Sequence, residues 1–157
     1  MAAGAIERFT ESARALGIDP SIRRFPEGTK TAVDAAEAIG CDVAQIVKSL
    51  VFIVDARPVL AFTSGANRVD PEKLAQVAEG SEARRASPEE ARAATGFAVG
   101  GTPPFGHPEP VVSFVDPELL TFEEVWAAAG TPDSVFPLAP SELLRATGAR
   151  RADFTEG

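Results

Sequence analysis

Two apolar segments separated by a short turn constrain the fold of this chain more than any other feature: QIVKSLVFIVD (residues 45–55) and VLAFT (residues 59–63). Successive side chains of a strand point to opposite faces, and both faces of the first segment are apolar except at Lys48 and Ser49. A strand with two apolar faces is covered on both sides. The sequence therefore predicts a β-hairpin whose first strand is central in a sheet.

Hydrophobic periodicity and capping residues mark the remaining elements. Helices are predicted over residues 4–16, 32–40, 71–79, 88–96 and 140–147. The second, third and fourth begin after Thr31, Asp70 and Ser87. Further strands are predicted at residues 21–26, 110–116 and 134–138, whereas EVWAAAGT (residues 124–131) fits a helix or a strand. This irregular order predicts a single α+β domain over residues 1–157 with a mixed, curved sheet. A doubly wound nucleotide-binding fold is disfavoured because no glycine-rich turn opens a helix after the first strand.

The composition excludes several classes of protein. Lys and Arg number 15 against 23 Asp and Glu, giving a net charge of −8, whereas proteins that hold long duplex DNA are usually basic. No DNA partner is therefore expected. The charge is still compatible with a small anionic ligand or with contact to only the tip of a nucleic acid. No apolar run is long enough to span a bilayer, and the N-terminal residues are unlike a signal peptide. With Cys41 as its single cysteine, the chain is expected to be cytoplasmic, with no membrane contact and no internal disulfide.

The same residue counts limit the available chemistry. One His and one Cys cannot build a zinc site from nitrogen and sulfur ligands, and a catalytic triad would have to use His107. His107 lies between Gly106 and Pro108, a context more typical of a loop residue than of a general base. An enzyme with this sequence is expected to work without a metal or another cofactor.

Lys48 interrupts the apolar strand, and lysine is almost never fully buried without a partner. Three interpretations are open at this point. The side chain reaches water at the end of the strand, or protects a sheet edge against aggregation, or lines a pocket.

The segment GGTPPFG (residues 100–106) combines three glycines with two adjacent prolines. Glycine allows unusual backbone angles and close ligand approach, and proline restricts the backbone, so this loop is expected to be both unusual and stiff. It is either an ordinary tight connection or the wall of a pocket. If the loop and Lys48 share a pocket, the ammonium could bind an anion while backbone N–H donors stabilise an oxyanion. Such a site suits acyl transfer.

Four features in this order resemble the YbaK/ProX family of aminoacyl-tRNA deacylases: QIVKSLVF, RVDPEKLA, TGFAVGGTPPFGH and the pair Val115–Asp116. The family is related to the editing domain of bacterial prolyl-tRNA synthetases, and the similarity extends over roughly residues 4–152. The resemblance implies a mixed sheet that closes into a barrel-like core with helices around it. It also implies metal-free hydrolysis of the ester of mischarged tRNA, in which a ribose hydroxyl or the substrate's own side chain assists the attack.

The resemblance also implies a set of site residues. The family's lysine corresponds to Lys48, and its Gly-x-x-x-Pro loop corresponds to residues 100–104, with Gly101 against the substrate ester and the terminal adenosine. Lys48 and Gly101 are thus the expected catalytic residues. The expected substrate-binding residues are Ser49, Gly100, Thr102, Pro103, Pro104, Phe105, Gly106 and Thr131. Ser49 and residues 129–132 differ among the branches that act on different amino acids, and the sequence does not assign this chain to a branch.

Two functions are consistent with these residues. The first is a trans-editing deacylase that acts on tRNA-Pro or on another tRNA mischarged with a small amino acid. The second is a non-catalytic module of the same fold that binds a tRNA end or a synthetase. Lys48 and the intact glycine loop favour the deacylase. The expected partner is the acceptor end of aminoacyl-tRNA, which a synthetase or an elongation factor could deliver.

Overall fold

The computed structural model describes residues 4–25 and 31–156. Within these ranges the chain forms five α-helices: α1 (Ala5–Ala15), α2 (Ala32–Ile39), α3 (Pro71–Val77), α4 (Pro88–Thr95) and α5 (Pro140–Thr147). It forms eight strands: β1 (Arg23–Arg24), β2 (Ile46–Val54), β3 (Arg57–Ser64), β4 (Ala83–Arg85), β5 (Val112–Val115), β6 (Val125–Ala128), β7 (Ser134–Leu138) and β8 (Arg150–Arg151). Short 3-10 turns occur at Val43–Gln45 and Pro117–Thr121. None of the helices in the described ranges has the length and apolar character that crossing a membrane requires.

The capping residues begin three helices where the sequence predicts. At the start of α2, Thr31 Oγ1 accepts a hydrogen bond of 3.1 Å from the N–H of Asp34. Asp70 caps α3, and Ser87 and Glu90 form a reciprocal capping box at α4. These bonds satisfy N–H groups that have no acceptor inside the helix. The predicted starts of α2, α3 and α4 are therefore confirmed.

The eight strands form one mixed sheet in the order β1-β7-β6-β2-β3-β5-β8, and β4 pairs with β2 beside this path. β2 and β3 form the predicted antiparallel hairpin, while β3 pairs with β5 and β2 pairs with β6 in parallel. The prediction of an α+β fold with a mixed, curved sheet is confirmed. Since β1 and β8, at the two ends of this order, are not paired with each other, the sheet curves without closing into a barrel.

The edge of β2 that faces away from β3 is shared by two strands. β6 pairs with Ile46 and Val47 at one end, and β4 pairs with Phe52–Val54 at the other. In the described part of the chain, no strand therefore pairs with residues 48–51 on this edge of β2. The sheet is therefore interrupted beside the middle of its central strand.

Buried side chains cover both faces of β2, as its apolar pattern predicts. Val47 and Val51 pack in one core cluster that includes Phe9 of α1. Phe52 and Val54 pack in a second cluster with residues of α3. The prediction that this strand is central is confirmed.

Several short elements depart from simple sequence patterns. The ambiguous segment forms strand β6, because pairing with β2 and β7 outweighs the helix propensity of its alanines. β4 and β8 were not predicted, since their residues are mostly arginine and show no apolar alternation. Of the strand predicted at residues 21–26, Arg23 and Arg24 form β1, and Pro26 lies outside the described residues.

Candidate active site

A cavity of about 280 Å³ lies where the sheet is interrupted between β4 and β6. Its walls come from both faces of β2, from α2, from the loop after α4 and from the turn between β6 and β7. Four of the predicted site residues line it: Lys48, Ser49, Gly100 and Thr102. The fold thus brings the strand lysine and the glycine loop together, although they are about 50 residues apart in the sequence.

Lys48 is half-buried in this cavity. Its Nζ donates a hydrogen bond of 2.6 Å to the backbone carbonyl of Asn67. Burial lowers the pKa of Lys48 below its ordinary value, the positive charges of Arg68 and Arg85 lower it further, and Asp116 partly opposes them. No carboxylate among the described residues forms a salt bridge with this ammonium. Of the three interpretations of this lysine, the structure supports the one in which it lines a pocket.

The hydroxyl of Ser49 is buried and has no hydrogen-bond partner among the described residues. Buried polar groups are nearly always paired, because leaving one unpaired costs about 1–3 kcal/mol. Ser49 lines the cavity next to Lys48. Because the hydroxyl is buried, a ligand in the cavity would pair with it only after the Ser49 side chain turns toward the cavity.

Gly100 and Thr102 form the wall on the side of the glycine loop. Gly100 has a φ of +88°, a left-handed conformation that glycine adopts without steric cost. Two bonds then close the loop on itself. The N–H of Gly101 donates to the carbonyl of Ala98 at 3.1 Å, and Thr102 Oγ1 donates to the same carbonyl at 3.2 Å. In this conformation the N–H of Gly101 is already paired and is not a free donor for an oxyanion.

Gly101 lies behind the cavity wall and not on its surface. Its Cα faces the backbone of Thr131, in the turn between β6 and β7. Thr131 is also outside the lining, and its Oγ1 pairs with Ser134 Oγ at 2.7 Å. The neighbouring residues Pro132 and Ser134 do line the cavity. Gly101 and Thr131 therefore shape the wall through their backbones, whereas the resemblance implied that Gly101 touches the substrate.

The structure does not bring the second half of the glycine loop to the cavity. Pro103 is outside the lining, and Pro104, Phe105 and Gly106 line a second cavity of about 230 Å³ elsewhere on the molecule. Phe105 is buried against Phe9, with ring centroids 5.1 Å apart. The large apolar side chain of Phe105 draws this part of the loop into the core, which separates it from Lys48.

His107 belongs to the second cavity. Its Nε2 lies 2.8 Å from the carbonyl oxygen of Pro103, and burial lowers its pKa, with the Pro103 contact acting in the opposite direction. The interpretation of His107 as a loop residue agrees with this position. Within residues 4–25 and 31–156, no group of three His, Cys, Asp or Glu side chains could together hold a metal ion.

Arg85 and Trp126 are among the lining residues that were not selected from the sequence. Arg85 reaches the cavity because β4 pairs it with Phe52, and its guanidinium lies 5.6 Å from the centroid of that ring. Trp126, the only tryptophan in the chain, also lines the cavity. The lone tryptophan beside three alanines could have been selected as a site residue from the sequence. The pair of adjacent arginines could not, because surface arginines are common.

Comparison with known proteins agrees with this fold. The profile of the aminoacyl-tRNA editing domain matches residues 26–146. A crystal structure described as a proposed trans-editing enzyme for prolyl tRNA synthetase has a TM-score of 0.92 and 42% sequence identity, covering 100% of both chains. The protein YwhH of Bacillus subtilis (strain 168) is 33% identical over 123 residues, which is 78% of each chain. The proline–tRNA ligase of Maridesulfovibrio salexigens is 34% identical over 107 residues, which is 68% of this chain but 18% of the ligase. The chain belongs to the aminoacyl-tRNA editing domain family.

Proposed function

We propose that this protein is a trans-editing deacylase that hydrolyses the ester between a wrong amino acid and the terminal adenosine of tRNA. The carrying observation is the cavity itself, which combines the Lys48 ammonium with the unpaired hydroxyl of Ser49. Family membership and the resemblance to a proposed trans-editing enzyme support the same reaction. We further propose that the tRNA is tRNA-Pro or another tRNA that carries a small amino acid, and that the protein acts in the cytoplasm, where such tRNAs are made.

Lys48 acts in this proposal as a binding cation. An ammonium has three N–H donors, and the bond to Asn67 uses one of them. Two donors can then bind a phosphate or ribose oxygen of the terminal adenosine. Arg85 adds a second positive charge to the same cavity. These two cations concentrate positive charge in the cavity, although the net charge of the chain is −8. This distribution suits contact with the end of the tRNA and not with a long stretch of the tRNA phosphate backbone.

The bond changes of the reaction are those of ester hydrolysis. A water oxygen bonds to the carbonyl carbon, and the bond between that carbon and the ribose oxygen breaks. One proton of the water passes to the ribose oxygen and the other to solvent, so that the products are a ribose hydroxyl and the amino acid carboxylate. The paired N–H of Gly101 gives no oxyanion donor in this conformation. We propose that the ribose hydroxyl next to the ester activates the water, with no metal ion, and that Lys48 and Ser49 position the ester.

The walls of the cavity favour a small amino acid. Ala127, Ala128 and Val135, together with Trp126, form part of the wall of the cavity. The cavity holds about 280 Å³, so a large side chain bound beside the ester would have to displace the surrounding residues. We propose that this wall accepts the side chain of the wrong amino acid while its ester lies near Lys48.

One observation favours the second candidate function, a non-catalytic module that binds a tRNA end or a synthetase. No histidine or carboxylate among the described residues lines the cavity, so the chain offers no evident general base there. The two candidates differ in turnover, since a binding module leaves the ester intact.

The test is a panel of tRNAs, each mischarged with one labelled amino acid and incubated with the protein. A deacylase releases the label from at least one member faster than the buffer does, and the Lys48→Ala variant does not. A protein that binds the same tRNAs in a filter assay without releasing any amino acid supports the binding module. A synthetase or elongation factor can then be added to ask whether delivery changes the rate.

A further inference from the structure

A chain of hydrogen bonds leads from the cavity to a buried carboxylate. Lys48 Nζ donates to the backbone carbonyl of Asn67 at 2.6 Å, and the side-chain amide of the same asparagine donates to Asp116 Oδ2 at 2.9 Å. Asn67 therefore contacts the cavity lysine with its backbone and the carboxylate with its side chain. Neither Asn67 nor Asp116 lines the cavity.

Asp116 is only 2% exposed, and its two oxygens accept three hydrogen bonds. Besides the Asn67 amide, the donors are the N–H of Ser64 at 3.1 Å and the N–H of Glu118 at 3.0 Å. No cation among the described residues forms a salt bridge with it. A buried carboxylate is costly unless hydrogen bonds satisfy it. Asp116 thus joins the end of β3 to the turn that follows β5, and holds Asn67 between them.

The turn between Ser64 and Asn67 is fixed by several further bonds. The N–H of Asn67 donates to the carbonyl of Ser64 at 3.0 Å, and Ser64 Oγ donates to the carbonyl of Ala44 at 2.8 Å. The N–H of Ala66 donates to Ser64 Oγ at 3.2 Å. The turn therefore presents the Asn67 carbonyl to Lys48 in a defined position.

We propose that Asn67 and Asp116 are positioning residues that hold the Lys48 ammonium in the cavity through the Asn67 carbonyl. The inference rests on the proposed function in one respect, namely that a well-placed Lys48 matters for ester hydrolysis. Without the link between Asn67 and Asp116, the carbonyl acceptor moves and the ammonium is free to turn toward water. A displacement of about 1 Å in a site can reduce the rate by about 10²-fold.

The main variant is Asn67→Ala, which retains the backbone carbonyl and removes only the link to Asp116. We expect kcat/KM for deacylation to fall by about 10- to 10²-fold. Asp116→Asn should show a similar loss. If Asp116→Asn does not fold, Asn67→Ala alone decides the test. Asp70→Ala is the matched control, because it removes a carboxylate that caps α3 and has no contact with Lys48. Its activity per folded molecule should be that of the wild type.

A double-mutant cycle separates positioning from general structural support. If Asn67 acts through Lys48, combining Asn67→Ala with Lys48→Ala should cost no more activity than Lys48→Ala alone. Losses that multiply instead would show that Asn67 acts independently of Lys48 and would overturn the inference.

A spectroscopic measurement tests the positioning without any activity. The chain has three lysines, Lys30, Lys48 and Lys73, so lysine labelled at Cε gives three resonances, and Lys48→Ala assigns one of them. In Asn67→Ala we expect the Lys48 resonance to shift and its pKa to rise toward the value of a solvated lysine, while Lys73 is unchanged. An unchanged Lys48 resonance overturns the inference even if the protein is a deacylase. A shifted resonance upholds the positioning even if no tRNA in the panel is hydrolysed, a result that would count against the proposed function alone.

Discussion

Gly101 and Thr131 meet backbone to backbone. A Cβ placed on Gly101 would lie 2.7 Å from the Cα of Thr131 and 2.8 Å from its carbonyl carbon. Real Cβ atoms do not approach other atoms this closely, so no residue other than glycine fits here without displacement. The glycine loop and the turn between β6 and β7 are therefore in direct contact behind the cavity that both help to form.

The same arrangement repeats one layer further from the cavity. Gly130 has a φ of +118°, and a Cβ there would lie 2.8 Å from the carbonyl oxygen of Ala5 in α1. The start of α1 thus supports the turn, and the turn supports the glycine loop. The family profile begins at residue 26, after α1, so this support is contributed from outside the matched region.

For Gly101→Ala we expect losses in both activity and stability. The new methyl would push the loop away from Thr131, whereas the resemblance implied that it would enter the substrate space. Overpacking of this kind costs about 1–3 kcal/mol, and a shift of about 1 Å in the wall can reduce kcat by about 10²-fold. Thermal unfolding and single-turnover deacylation on the same preparation measure both effects.

Gly148→Ala is the control for this experiment. Gly148 follows α5 with a φ of +65° and has open space around it, so alanine there introduces backbone strain without a contact near the cavity. It should lower the melting temperature and leave turnover unchanged. If Gly101→Ala also keeps full turnover, the loop is an ordinary connection.

Lys48→Met should strongly reduce activity while the protein stays folded. Methionine retains most of the side-chain length and removes the charge. Hydrogen bonds to charged groups contribute about 1.5–3 kcal/mol, so losing one to the substrate should lower kcat/KM by about 10- to 10²-fold. Steady-state kinetics measure this loss, and Lys73→Met, at a lysine bonded to the Thr155 carbonyl on another part of the surface, is the control. Wild-type kinetics in Lys48→Met would remove Lys48 from the site.

The lowered pKa of Lys48 predicts how activity depends on pH. If the ammonium binds the substrate, kcat/KM, corrected for spontaneous hydrolysis, should fall as pH rises through the Lys48 pKa, which lies below the ordinary 10.5. A general base would give the opposite result, an increase over the same range. A pH profile of the wild type, compared with that of Lys48→Met, distinguishes the two roles.

The same pKa shift predicts how stability depends on pH. Between the folded pKa of Lys48 and about 10.5, the unfolded chain binds more protons than the folded chain at this residue, so stability from this group rises with pH in that window. Lys48→Met should therefore be more stable than the wild type below the window. This advantage should disappear above it. Denaturant unfolding at several pH values measures the difference.

His107→Ala should retain most of the deacylase activity, because His107 lies in the second cavity and not with Lys48. It should be less stable, since the contact with the Pro103 carbonyl and the edge-on contact with the Phe97 ring are lost. Comparing kcat with the melting temperature of one preparation tests both statements. A large fall in kcat at unchanged stability would identify the histidine as a base.

Chelators should leave turnover unchanged if the reaction is metal-free, as we propose. The measurement is deacylation after dialysis against EDTA, with magnesium then restored so that effects on tRNA folding are recognised. Activity that returns only with zinc would contradict this proposal.

Much of the local structure was predictable from the sequence. Thr31, Asp70 and Ser87 begin their helices by bonding N–H groups two or three residues away, and such contacts need no information from the rest of the chain. The alternation along β2 likewise predicts a central strand, and Lys48 is conspicuous because both faces of this strand are apolar except at Lys48 and Ser49. The glycines and prolines of residues 100–106 were consistent with a pocket wall or an ordinary connection, and the resemblance to known deacylases favoured the wall.

Only the tertiary structure decided how these parts form a site. The cavity exists because β4 and β6 both pair with β2 and leave residues 48–51 between them, and these three strands are far apart in the sequence. Which half of the glycine loop faces the cavity depends on Phe105 entering the core against Phe9 of α1. The positions of Arg85, and of Thr131 against Gly101, depend on the same long-range pairing. Local propensities act over a few residues, whereas these contacts are fixed by packing between segments that the sequence pattern leaves unrelated.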